Sequence, residues 1–209
     1  MPTTIVLSQN TSFNSTMLAP LRIEQYINGI EKIVELNTEY GFDIFIADNG
    51  LNFEDVMILP EATTTCLKIL KHNPNQYGCT NKGAGLLEIW CNNVDILQQY
   101  DYVIHFEPRQ LLENNTFIDN FMTNPRTLFS YGKGKDHFNT GLFTIKTSEL
   151  LNFIQAVSPA TLVQYSLSIE IVLLRYYNQN KIPYSVADKM NLVWFSYCPD
   201  TSTILEYHW

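Results

Sequence analysis

Basic residues are scarce in this chain of 209 residues. It has 13 Lys and Arg against 21 Asp and Glu, which gives a formal net charge of −8. A nucleic-acid-binding protein neutralises phosphates with a dense basic face, so this composition argues against nucleic acid as a partner. The same shortage of positive charge argues against binding to an anionic membrane surface.

Cysteine pairs and long apolar runs are also lacking. The four cysteines form no C-x-x-C pair and have no regular spacing, which favours a reducing compartment. No run of about 18 apolar residues is present, and the N-terminus has neither the basic region nor the apolar core of a secretory signal. We therefore expect a cytoplasmic chain with no transmembrane segment.

Apolar and aromatic residues, by contrast, are plentiful. They make up 45% and 13% of the chain, as expected for a folded globular protein. A length of 209 residues fits one domain with a sizeable core, so we predict a single domain over residues 1–209.

The first half of the chain alternates strand and helix patterns. Apolar and β-branched runs predict strands at residues 3–7, 43–47 and 102–106. Apolar residues at helical spacing predict a helix after Pro20, a weaker one at 60–70 and another from residue 84. Strand–helix–strand units of this kind form right-handed crossovers, so the pattern predicts a doubly wound α/β nucleotide-binding sheet.

The second half is less regular. It predicts strands at residues 128–131, 142–145 and 191–197, and helices at 147–157 and 160–178. The Gly-Lys-Gly-Lys segment at 132–135 is a loop that lacks the G-x-x-x-x-G-K-[ST] pattern of a P-loop.

Metal-competent side chains stand at the end of the predicted strand 102–106. His105 and Glu107 are two residues apart, so on an extended backbone they project to the same side. Open α/β sheets place ligand sites at the carboxyl ends of strands, and an imidazole with a carboxylate can hold a borderline divalent cation. The alternative is a lone histidine and a solvated glutamate.

Four blocks of sequence together resemble the GT-A class of nucleotide-sugar-dependent glycosyltransferases. They are Ile-Phe-Ile-Ala-Asp-Asn-Gly at 44–50, Asn-Lys-Gly-Ala at 81–84, Val-Ile-His-Phe-Glu at 103–107 and Phe-Asn-Thr-Gly-Leu-Phe at 138–143. They are similar, in order, to that class's Asp-Asn-Gly turn, Asn-x-Gly helix start, Asp-x-Asp metal motif and Phe-Asn-x-Gly strand. The resemblance spans most of the chain, and its length is most similar to compact glycosyltransferase domains of chlorella viruses.

This resemblance implies a fold, a location and a cofactor. The fold would be GT-A, a Rossmann-like, mixed and mostly parallel central sheet flanked by helices, and a viral chain would act in the host cytoplasm. The cofactor would be Mn²⁺ or Mg²⁺ bridging the donor diphosphate, and an imidazole ligand favours Mn²⁺. Glu107 would be the principal ligand, with His105 in place of the first aspartate of the motif. His208 would be a further ligand, unless the aromatic tail packs on the core.

The resemblance also implies nucleotide and sugar contacts. Asp48 would accept a hydrogen bond from the uracil imide, or else form an ordinary turn. Lys82 and the helix start at 83–85 would face the pyrophosphate, or else only open the helix. Further nucleotide contacts are predicted for Ser8, Gln9 and Phe106. Contacts with the donor or acceptor sugar are predicted for Asn139, which could instead be a turn cap, and for Gly141 and Arg109.

Two carboxylates are candidates for the catalytic base. Inverting members use a carboxylate near the start of a late helix to deprotonate the acceptor hydroxyl. Glu170 lies in such a helix, although it could be an ordinary surface glutamate, and Asp136 is the second candidate. A retaining mechanism would need no dedicated base.

These patterns lead to one main hypothesis and two alternatives. The main one is a metal-dependent glycosyltransferase that moves a sugar from a UDP-sugar to a glycan or glycoprotein acceptor. The first alternative is a non-catalytic sugar-nucleotide or glycan-binding module on the same fold. A sugar-1-phosphate nucleotidyltransferase is disfavoured, because no Gly-rich loop with a trailing Arg and Lys follows the first strand.

Overall fold

The computed structural model describes residues 3–9, 19–48, 59–70, 75–198 and 203–208. The elements of the first half, in chain order, are β1 (Thr3–Gln9), α1 (Ala19–Asn37), β2 (Asp43–Asp48), α2 (Glu61–Thr64), β3 (Leu67–Ile69), α3 (Lys82–Asn92), α4 (Val94–Leu97) and β4 (Tyr102–Phe106). Those of the second half are β5 (Leu111–Leu112), α5 (Thr116–Thr123), β6 (Leu128–Tyr131), β7 (Phe138–Lys146), α6 (Thr147–Ala156), α7 (Pro159–Gln164), α8 (Ile169–Gln179), β8 (Ser185–Val186), β9 (Leu192–Cys198) and β10 (Thr203–His208).

The central sheet has seven strands in the order β3-β2-β1-β4-β7-β6-β8. The first four are mutually parallel, whereas β7 runs antiparallel to both β4 and β6. The predicted mixed, mostly parallel sheet is therefore confirmed. A second sheet of three antiparallel strands has the order β10-β9-β5.

Apolar side chains fill both faces of the central sheet. Successive residues of β4 point to opposite faces, and Val103 and Ile104 accordingly belong to two different buried clusters. The cluster with Val103 includes Trp90 of α3 and Leu173 of α8, so these two helices cover that face. The other cluster contains Ile30 of α1. Burial on both faces explains why the central strands are almost continuously apolar.

Local sequence signals fix where several helices begin and end. Asn81 caps α3 by accepting a hydrogen bond from the Ala84 amide at 3.0 Å. Ser158 caps α7, and Pro159 occupies that helix's first turn. Gly41, with φ of +66°, follows the turn that ends α1. Within the described ranges, each helix is too short or too polar to cross a bilayer.

Two predicted helices differ from the structure. The helix predicted at 60–70 is a single turn, α2, after which β3 pairs in parallel with β2 at the edge of the sheet. The helix predicted at 160–178 is interrupted between α7 and α8, where Ser166 has φ of +50°. The pairing of β3 and the packing of α8 are tertiary effects that helical periodicity does not contain.

Candidate active site

A cleft of about 510 Å³ opens at the carboxyl end of β4. The Glu107 amide donates to the Gly141 carbonyl at 2.8 Å, so the pairing of β4 with β7 continues one residue beyond the strand. The start of β7 therefore lies beside the end of β4. The charged and polar side chains that line the cleft include Glu107, Arg109, Lys133, His137, Asn139 and Glu170.

A tight turn after β4 forms one wall of this cleft. The Gln110 amide donates to the Glu107 carbonyl at 3.0 Å, which closes a four-residue turn. Pro108 stands second in that turn, where its fixed φ is favoured. A Cβ built on Gly29 of α1 would overlap the carbonyl oxygen of Pro108. The helix thus touches the turn directly and holds it against the cleft.

Within the turn, Arg109 holds both carboxylate oxygens of Glu107. The Arg109 Nη2 donates a hydrogen bond to Glu107 Oε2 at 3.1 Å. The Arg109 Nε lies 2.5 Å from Glu107 Oε1 and forms an ion pair with it, without the geometry of a hydrogen bond. Both side chains are mostly buried, with exposed fractions of 20% and 27%. Burial opposes the guanidinium charge, but the pKa of Arg109 is nevertheless raised, chiefly by Glu107.

Gln110 is a cleft residue that the sequence did not predict. It is 5% exposed, and its Nε2 donates to Glu107 Oε2 at 3.4 Å. A Cβ on Gly141 would overlap the Gln110 amide, so a glycine at 141 leaves room for it. The Gln110 Oε1 accepts no hydrogen bond from the described part of the chain. Buried acceptors are normally satisfied, so this oxygen is an exception among the described residues.

Glu170 also lines the cleft and lies in the first turn of α8. Its Oε1 accepts from the Thr140 hydroxyl at 3.1 Å, and its Oε2 accepts from the Ser168 hydroxyl at 2.5 Å. The amino end of a helix also favours a negative charge there. Glu170 is among the groups that raise the pKa of Arg109, so the two side chains interact electrostatically.

The second predicted base, Asp136, does not line the cleft. It is exposed, and its Oδ1 lies 2.7 Å from Nδ1 of His137, which does line the cleft. The hydrogen bond to His137 is the main reason that the pKa of Asp136 is lowered. A lowered pKa makes a carboxylate a weaker base.

The prediction that His105 faces the cleft is wrong. Its ring is 1% exposed, stacks on Phe143 and meets Trp90 edge-on. The adjacent strands and helix α3 cover it, so it lies in the core beneath the cleft. A side chain without access to the cleft cannot hold an ion there.

Two other predicted residues also lie away from the cleft. Phe106 is 0% exposed and belongs to the buried cluster that contains Ile104, so its side chain cannot stack on a nucleotide. His208 is exposed on β10, where its Nε2 lies 3.0 Å from Glu206 Oε1 and its Nδ1 lies 3.7 Å from Glu113 Oε1. It is not among the residues that line the cleft.

The predicted nucleotide contacts lie along the carboxyl edge of β1 and β2. Asp48 is buried at the end of β2, paired in register with Gln9 of β1. Ser8 precedes Gln9 in β1, and the side chains of both lie outside the described residues, as do Asn49 and Gly50. Lys82 is exposed at the start of α3 and is not a lining residue.

The predicted helix start at 81–84 packs against another part of the protein. A Cβ on Gly83 would lie 2.8 Å from the Cβ of Ile169, so α3 touches α8 at this point. The Asn81 Nδ2 donates to the carbonyls of Leu162 and Leu167 at 3.3 and 2.9 Å. This block therefore joins α3 to α7 and to the segment that precedes α8 and Glu170.

The described residues do not fit the predicted metal site. Of its three predicted ligands, only Glu107 lines the cleft, and Arg109 contacts both of its oxygens. No group of three His, Cys, Asp or Glu side chains that could hold an ion occurs among the residues that the structure describes. Mn²⁺ binding stays a prediction from resemblance alone.

Comparison with known proteins gives matches in structure but not in sequence. No protein-family model matches the chain, and no curated protein matches it significantly. The galactosyltransferase LgtC, in complex with donor and acceptor sugar analogues, superposes with a TM-score of 0.54 at 10% identity, covering 81% of this chain and 69% of LgtC. A glycosyltransferase involved in glycosylation of the major capsid of PBCV-1 gives 0.54 at 14% identity, covering 90% and 82%.

A cytidylyltransferase from Leptospira borgpetersenii also superposes, with a TM-score of 0.50 at 11% identity, covering 89% of this chain and 74% of that one. At identities this low, structural similarity shows a shared fold and not a shared substrate. The order of the strands and these superpositions agree with the predicted architecture. The chain therefore has the GT-A fold of nucleotide-diphospho-sugar glycosyltransferases.

Proposed function

We propose that this protein is a glycosyltransferase that moves a sugar from a UDP-sugar to a hydroxyl group of a glycan or glycoprotein acceptor. The observation that carries the proposal is that one cleft is lined by both a buried cation and a carboxylate. These are the guanidinium of Arg109 and the carboxylate of Glu170, and Glu170 contributes to the raised pKa of Arg109. A cation for the leaving group and a base for the attacking group are the two parts that this reaction needs.

Arg109 and Glu170 have separate tasks in the proposed reaction. The acceptor oxygen attacks the anomeric carbon of the donor, and the bond between that carbon and the phosphate oxygen breaks. Glu170 takes the proton of the attacking hydroxyl, while UDP leaves with the bonding electrons. A positioned carboxylate contributes typically 10²–10⁴-fold to such a step. In this inverting scheme, the transferred sugar changes its anomeric configuration.

Polar groups at the floor of the cleft suit a sugar. Asn139 and Thr140 belong to β7 and line the cleft beside Gln110. The Asn139 Oδ1 accepts from the Gly141 amide at 2.8 Å, which fixes its orientation. The amide nitrogen of Asn139 and the hydroxyl of Thr140 are then the groups that we assign to sugar hydroxyls. We assign these residues to the donor or acceptor sugar.

The base of the donor is assigned to the carboxyl edge of β2. Asp48 can accept a hydrogen bond from N3–H of uracil, whereas N3 of cytosine is itself an acceptor. The fold class uses this edge of an open sheet for nucleotides. Since Glu107 does not fit as a cation ligand while Arg109 holds it, no step of the proposed reaction passes through a metal.

Thermal unfolding with a panel of nucleoside diphosphates tests the donor class. A ligand that binds only the folded state raises its melting temperature. We expect UDP to raise it more than CDP, GDP or ADP, and UDP-sugars to be slowly hydrolysed when no acceptor is present. Binding without hydrolysis or transfer to any acceptor would favour the non-catalytic module. Release of pyrophosphate from CTP and a sugar phosphate would favour a nucleotidyltransferase.

A further inference from the structure

We infer that the guanidinium of Arg109 holds the donor diphosphate in the position where a divalent cation was expected. This inference rests on the proposed function and extends it to how the leaving group is bound. Its consequence is that this protein binds a nucleoside diphosphate equally well with and without Mn²⁺. Glu107 then acts as a positioning residue for Arg109.

The geometry around Arg109 carries this inference. The turn at 107–110 closes on itself, and α1 supports it at Gly29. Glu107 engages Nε and Nη2, so the plane of the guanidinium is fixed. Glu107 engages two of the three guanidinium nitrogens, and Arg109 lines the cleft. A guanidinium has five N–H donors in a rigid fork that matches phosphate oxygens, so Nη1 can still bind one.

The charges of the cleft support the same conclusion. The described lining residues carry two carboxylates, Glu107 and Glu170, and Arg109 pairs directly with Glu107. Lys133, from the loop between β6 and β7, adds a second positive charge to the lining. Arg109 and Lys133 can together stabilise charge that develops on a diphosphate, which is the task of a metal ion in other transferases.

Calorimetry with the full chain gives the first test. The tightest binder among UDP, CDP, GDP and ADP is titrated into protein in EDTA and, separately, in Mn²⁺. We expect the two Kd values to agree within about threefold. Electron paramagnetic resonance of free Mn²⁺ provides a reading that does not depend on activity. We expect the Mn²⁺ signal to be the same with nucleotide alone and with nucleotide and protein together.

Three variants distinguish diphosphate binding by a metal ion from diphosphate binding by Arg109. Arg109→Ala should weaken diphosphate binding in EDTA at least tenfold, while the Kd of uridine, which has no phosphate, should stay the same. Glu107→Gln keeps one oxygen that can accept from Arg109, so it should weaken diphosphate binding in EDTA less than Glu107→Ala does. Glu107→Ala frees the guanidinium to move, so it should weaken binding by an intermediate factor.

The outcomes distinguish this inference from the proposed function. Diphosphate binding that requires Mn²⁺ and is lost in Glu107→Gln would overturn the arginine site and keep the glycosyltransferase. Binding in EDTA that Arg109→Ala leaves unchanged would also overturn it. If none of the four diphosphates binds under either condition, the proposed function itself fails. A circular dichroism spectrum and an unchanged melting temperature confirm that each variant is folded.

Discussion

The imidazole of His105 stacks on the phenyl ring of Phe143, with centroids 4.9 Å apart and planes inclined by 28°. Burial in this setting lowers the pKa of His105 to about 3. In the unfolded chain, the same ring titrates near pH 6.5. Between these two values the unfolded state binds a proton that the folded state does not. The free energy of unfolding therefore falls as the pH drops from about 6.5 towards 3, by up to about 1.4 kcal/mol per pH unit.

Replacing His105 by phenylalanine should remove this acid sensitivity. Urea unfolding at pH 7.5 and at pH 5.0 measures it, and we expect the loss of stability between these values to be smaller in His105→Phe by about 2 kcal/mol. His208→Phe, at an exposed position, is the matched control and should behave like the parent protein. Equal pH dependence in parent and His105→Phe would contradict the buried neutral ring.

A methyl group at Gly29 should displace the turn that carries Arg109. Because a Cβ there would overlap the Pro108 carbonyl, Gly29→Ala forces α1 and the turn apart. We expect a loss of about 1–3 kcal/mol in the free energy of unfolding, as for other overpacked sites, and weaker diphosphate binding. Asn28→Ala, at an exposed position one residue earlier, is the control and should change neither quantity. A fully stable Gly29→Ala would mean that the contact is not tight in solution.

Asp48 should select the base of the nucleotide. Asp48→Ala removes the acceptor for uracil N3–H, so we expect UDP binding to weaken by about 1–3 kcal/mol, the range for a hydrogen bond to a charged group. The weaker affinity for GDP should change little. Calorimetry of both nucleotides on parent and variant measures the difference. An equal loss of affinity for UDP and GDP would mean that Asp48 supports the edge of the sheet and does not contact the base.

Glu170 should act in the chemical step and not in donor binding. We expect Glu170→Gln to lower transfer by a factor of about 100 or more and to leave the Kd of UDP unchanged. Single-turnover transfer and calorimetry measure the two quantities separately. If Glu170→Gln transfers at the parent rate and Asp136→Asn does not, the base is the pair of Asp136 and His137. If neither variant loses activity, the anomeric configuration of the product will show a retaining route.

The sequence predicted the first half of the fold well, because each element carries its own local signal. The strand at 102–106 is found as predicted, and 3–7 and 43–47 lie within β1 and β2. The short strand β3 has only three residues, and its identity depends on pairing with β2. The helical spacing of apolar residues at 60–70 therefore predicted a helix where β3 forms. Tertiary pairing overrides local preference most easily in segments this short.

The site was predicted in part, for a similar reason. Glu107, Arg109, Asn139, Gly141 and Glu170 do line the cleft, and the first four stand just after or just before strands that the pattern located. His105 was misplaced because alternation gives the side of a strand but not the depth at which a side chain lies. Gln110, Lys133 and His137 were missed. Only the turn preference of Glu-Pro-Arg-Gln could have pointed to Gln110.

The position of β1 between β2 and β4 has a consequence for how the chain assembles. Thr3 pairs in register with Tyr102, so two neighbours in the sheet are far apart along the chain. During synthesis, β1 can pair with β2 early, but its other edge stays open until β4 has been made. Closing so long a loop is entropically costly and slow. An unpaired apolar edge in that interval is prone to aggregation, so refolding yield should fall steeply as protein concentration rises.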